Sequence, residues 1–103
     1  MKVIQILSDK ISEEIADAKS YVDMAIEYRE EYPDLARTVY TISLEEMDHM
    51  SRLHSAVAQI IEDYRKTNGE PLAPMMAVYD YLHKKQIDNA AHVKMLQTMF
   101  KES

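Results

Sequence analysis

A chain of 103 residues suits one small domain, 1–103, and with no Cys it can form neither a disulfide nor a thiolate metal site. A formal net charge of −6, from 12 basic and 18 acidic residues with no basic stripe, argues against a nucleic-acid partner. The opening MKVIQILSDK has too short an apolar run for a secretory signal, and no stretch approaches a membrane span. A cytoplasmic protein without a membrane partner is therefore expected.

One Gly and three Pro among 47% apolar residues leave few breakers, so the chain is expected to be all-α. The first helix is predicted over about 8–31, with its start open toward the N-terminus. On it Ile4, Leu7, Ile11, Glu14, Ala18, Tyr21, Ala25 and Tyr28 alternate steps of three and four, the spacing of a packed seam. Ile15 and Val22 widen that stripe, and Glu14 is its only charged residue.

In REEYPDLA, Pro33 fits the first turn of a second helix, predicted over about 34–67. The short connection makes the first two helices an antiparallel hairpin. The second helix carries two stripes. Leu35, Val39, Ile42, Glu46, His49, Leu53, Ala56, Ile60 and Asp63 form the first, expected to pack on helix one. Met47, Met50, His54, Val57, Ile61 and Tyr64 form the other, expected against helix three or another subunit. Asn68-Gly69 followed by Pro71 and Pro74 stops the helix, and a third long helix is predicted over about 72–101. A core this small makes oligomerisation an expectation, and eight Met residues supply adaptable filler or contact surface.

Measured from the turn, Glu14 lies roughly 27 Å along helix one, and Glu46 and His49 roughly 21–25 Å along helix two, at about 1.5 Å per residue. Two carboxylates and an imidazole thus meet at one height among apolar side chains. Facing carboxylates repel, and a divalent cation relieves that repulsion. Carboxylate and imidazole donors without thiolate suit iron, manganese or zinc. A Glu on one helix with Glu-x-x-His on its partner is half of a di-iron carboxylate site.

Glu14-x-x-Asp17-Ala18-x-x-Tyr21-x-x-x-Ala25 followed by Glu46-x-x-His49 resembles the ferritin-like superfamily, with rubrerythrin-like domains and short encapsulated ferritins as the nearest look. The resemblance covers about residues 8–66. It implies metal-bridging or terminal roles for Glu14 and Glu46, a terminal nitrogen ligand in His49, and Tyr21 as an aromatic group beside the ligands. Full-length members carry two such hairpins, whereas helix three here has no Glu between Glu70 and Glu102. Encapsulated ferritins pair hairpins from two subunits, and the resemblance implies the same here: a bundle completed by dimerisation, as a homodimer or higher homo-oligomer. Two copies of Glu14 and Glu46 would bring four negative charges against two divalent cations.

The implied activity is oxidation of Fe(II) at a di-iron site, with a shell or cargo partner as one destination for the product. The C-terminal MFKES has no evident docking extension. The alternative is a helical oligomerisation or interaction module without a catalytic metal. A structural zinc or calcium site is a third reading.

Other ionisable residues have plainer readings. Asp80 with His83, and Asp88 with His92, have helical ligand spacing but read as exposed or partly buried polar residues. His54 reads as a packed interface histidine. Asp17 and Asp48 could accept from a ligand imidazole but fit surface solvation better. Glu13 and Glu45 fall off the seam and face outward, and Tyr28 is a packing residue.

Overall fold

The computed structural model describes residues 1–103 as three helices: α1 (Lys2–Tyr28), α2 (Pro33–Asn68) and α3 (Ala73–Glu102). α1 starts six residues earlier than the expected position 8, because nothing between Lys2 and Ser8 breaks a helix and Ile4 already belongs to the buried stripe. Pro33 opens α2, and Tyr32 before it is held extended at φ −134°, since the proline ring excludes helical geometry there. Asp34 in the first turn of α2 and Arg65 and Lys66 in its last turn complement the helix dipole. Gly69 ends α2 at φ 78°, a value that strains any residue with a Cβ, and its N–H donates to the Arg65 carbonyl at 3.1 Å.

The helices run up, down and up, in a rod of about 55 × 20 × 18 Å. α1 and α2 approach closely because the contact is lined by small residues: Ala18, Ala25, Ala36 and Ser43 are buried. The core comprises Ile4, Ile11, Ile15, Ala18, Met47, Val57, Ile61 and Val93. Four buried polar residues run through it in two hydrogen-bonded sets. Ser43 Oγ donates to the Ala18 carbonyl at 2.6 Å and accepts from Gln97 Nε2 at 3.0 Å, so one relay ties all three helices. Gln86 Nε2 donates to the Ser8 carbonyl at 3.0 Å and to Ser12 Oγ at 2.9 Å, docking α3 on α1.

The buried stripe of α1 is rotated from the expected one, and on α2 the Met-rich stripe, expected against helix three or another subunit, is buried more deeply than the stripe expected against helix one. On α1 the interior runs Ile4, Ser8, Ile11, Ile15, Ala18, Val22 and Ala25, while Leu7, Glu14, Tyr21 and Tyr28 are only half-buried. On α2, Met47, Val57 and Ile61 of the Met-rich stripe are buried, while only Val39 of the first stripe is. The cause is α3. It packs beside Ser8 and Ser12 of α1 and draws the interior toward itself, leaving the stripe with Glu14 and Glu46 on the hairpin's other flank.

Candidate metal centre

Glu14, Glu46 and His49 come together on that flank. Each offers a ligand atom, and the three atoms lie within 4.8 Å of one another. The antiparallel register fixed by Ser43 and Ala18 brings α1 position 14 level with the turn of α2 that presents Glu46 and His49 on one face. Glu14 and Glu46 are half-buried and His49 is exposed, so the cluster sits at a surface rather than in the sealed seam the sequence suggested.

Its electrostatics are those of an uncompensated site. Glu14 Oε2 is buried and has no hydrogen-bond partner. The His49 imidazole is close, with Nδ1 3.6 Å from that oxygen, beyond hydrogen-bond reach. Ionised carboxylates only accept, so Glu14 and Glu46 can bond only through a proton between them. That bond, then burial, then the negative charge of Glu14, push Glu46 from its ordinary 4.5 up to about 7, and Asp17 adds to the rise while His49 opposes it. A divalent cation among these atoms would replace the shared proton and satisfy the buried oxygen, so the donor set fits a metal of the iron, manganese or zinc kind.

A pH dependence follows. A metal and a proton compete for Glu46, so affinity should rise with pH and level off above about 7. Calorimetric titration with Mn(II) near pH 6, in two buffers of different ionisation enthalpy, should find about one proton released per metal bound. Proton-neutral binding would rule out displacement from Glu46.

The other predicted residues fall outside the cluster. Tyr21 is half-buried two turns beyond Glu14, roughly 10 Å further along α1. Asp17 is exposed and reaches the cluster only through its charge on Glu46. Asp48 pairs with Arg52 at 2.9 Å rather than with His49, Glu13 pairs with Lys10, and Glu45 is exposed. Asp80, Asp88 and His92 are exposed. His83 is not a partner of Asp80 but of His54, a pairing across 29 residues that no local spacing announces.

No protein-family model, curated protein or solved structure matches this chain. No helix is long and apolar enough to cross a membrane.

Proposed function

We propose that this chain is a ferritin-like metal-binding protein. In this reading the open flank of the hairpin pairs with a second copy, and Glu14, Glu46 and His49 of both protomers enclose a di-iron carboxylate centre that oxidises Fe(II). The observation that carries the reading is the buried, partnerless Glu14 Oε2 beside a second carboxylate and an imidazole. Such an oxygen is destabilising unless a donor or a cation reaches it.

The flank has the character of a half-made interface. Ser12, which meets α3, and Glu14 are two residues apart and so point roughly 160° apart on α1 at about 100° per residue. The flank therefore turns away from α3. It presents Leu7, Tyr21, Ile42, Leu53 and Ile60 half-buried, with Leu35 43% exposed. Apolar side chains on both sides of the acid cluster would exclude water once a second copy covered them.

Within this arrangement the chain's residues have distinct tasks. Glu14, deepest of the three, would hold metal from the core side. Glu46 would give up its proton on loading, and His49 would close the solvent side with a neutral nitrogen. Iron bound there would supply the redox chemistry, each Fe(II) losing one electron to dioxygen or peroxide.

Metal content measured against assembly size tests the shared site. Light scattering of the metal-loaded protein should find a dimer or a multiple of one, with one iron per chain. A metal-loaded monomer would overturn the interface. The raised Glu46 carboxyl favours a second reading, in which protonation rather than a metal relieves the repulsion between the acids and the chain serves as a helical interaction module. Absence of any metal-dependent change in binding or assembly would support it.

A further inference from the structure

Two of the three residues that α3 buries against the hairpin are polar, beside apolar contacts from Tyr79, Ala90 and Phe100. The three are Gln86, Val93 and Gln97, so a single apolar side chain is fully enclosed along 30 residues. The two glutamines are fixed by the serine contacts described above. The first half of α3 touches α2 through another polar contact: His54 Nε2 and His83 Nε2 are 2.7 Å apart, with rings only 23° from parallel. Tyr79 stacks against His83 with ring centroids 5.6 Å apart.

At that separation one Nε2 must donate and the other accept. One imidazole can take an extra proton on Nδ1 and keep the bond. When both are protonated, two N–H groups and two positive charges face each other. The only cluster of three or more His, Asp or Glu donors is the one at Glu14, so this isolated pair is suited to sharing a proton rather than holding a metal.

We propose that the His54–His83 bond is an acid-sensitive latch that pins the first half of α3 to α2, and that double protonation releases this half. A cavity of about 460 Å³ adjoins the latch, lined in part by Ile4, Ile61, Met76, Tyr79 and Leu82, and release opens its apolar wall to solvent.

The surroundings offer the pair little compensation for its mutual repulsion: the one carboxylate a turn away from either imidazole is Asp80, exposed and three residues before His83. On α2, the residues one turn either side of His54 are Met50, Ser51, Val57 and Ala58, none charged. On α3, Tyr79 lies against His83 and is held protonated beyond its ordinary range by burial and then by Asp80. On α1, Ser8 and Ser12 are neutral, and Asp9 lines the cavity that Tyr79 also lines. Burial, then the charge of His83, hold His54 below its ordinary 6.5. The closed latch therefore binds fewer protons than the open one. Its contribution is complete above about pH 6.5 and is lost as pH falls below that.

Hydrogen exchange at about pH 7.5 and about pH 5, corrected for intrinsic rates, reads the latch directly. Protection of α3 amides from Met76 to Gln86 should fall about tenfold at the lower pH relative to the middle of α1. The double variant His54→Leu/His83→Leu should lose that pH dependence while keeping Glu46, which titrates over part of the same range. Nitrogen NMR of the wild-type imidazoles gives an independent readout, and a shared Nε2 proton lost together with the α3 shifts supports the latch. Unchanged α3 protection in the wild type, an equal loss in the double variant, or two imidazoles titrating independently near 6.5 would each overturn it.

Discussion

Replacing Glu46 or His49 with Ala should cut ferric-iron formation from aerobically added Fe(II) by roughly 100-fold, to the rate of iron in buffer. Each substitution removes two donors from a site shared by two copies, because it appears once in each. The remaining donors cannot recreate the coordination: α3 has no Glu before Glu102, and Asp17 and Asp48 are both exposed. Glu45→Gln and Asp48→Asn, on exposed neighbours of the same ligands, should leave oxidation within about twofold of wild type, since neither carboxylate stands in the cluster. The control separates loss of a ligand from loss of negative surface charge. Ferric absorbance read beside circular dichroism is sufficient, because Glu46 and His49 lie outside the core and their loss leaves the helices intact. Equal oxidation by all four variants and the wild type would point to the interaction-module reading.

The three-donor cluster was legible in the sequence because two local facts produce it. Glu46 and His49 are three apart on one helix, and a short turn at Pro33 fixes the register that brings Glu14 opposite. Its depth was not legible. The expected α1 seam runs through Glu14 and Tyr21, with Ile15 and Val22 only widening it, while the Met47 stripe of α2 is expected against helix three or another subunit. A third helix lying beside Ser8 makes that widening edge, with Ile15 and Val22, the interior of α1, and Met47 is buried on the stripe expected against helix three. Ser8, Ser43, Gln86 and Gln97 were missed for a related reason. A polar residue is tolerable in a core only when its partner is present, and these partners lie 25 to 78 positions away. The pairing of His54 with His83 has the same origin: it depends on how far the loop at Gly69 lets α3 slide along α2, and no helical period encodes that distance.

Glu14→Gln should stabilise the metal-free protein while abolishing metal binding, and the gain should grow with pH. In the wild type the Glu14–Glu46 pair is tolerated below pH 7 by the proton that Glu46 keeps. Glu46 has its folded value raised from 4.5 to about 7, so the stability tied to that proton is fully present below about 4.5 and is lost as pH rises through about 7. Above that, two carboxylates face each other with Glu14 Oε2 buried and unbonded. An amide at position 14 carries no charge and can donate to Glu46, so the variant needs no such proton and its stability should stay flat across the same range. The half-exposed setting of both residues screens the repulsion, which limits the gain to about 1 kcal/mol near pH 8. For a domain of this size that corresponds to a melting temperature higher by about 4–8 °C. Thermal unfolding of the two apo proteins near pH 5.5 and pH 8 should then give nearly equal values at the lower pH and separated ones at the higher. Saturating Mn(II) should reverse the order at pH 8, because only the wild type gains binding free energy from the metal. A wild-type protein that is the more stable without metal at both pH values would mean that Glu14 is held by interactions of its own, and that its buried oxygen is no measure of a missing cation.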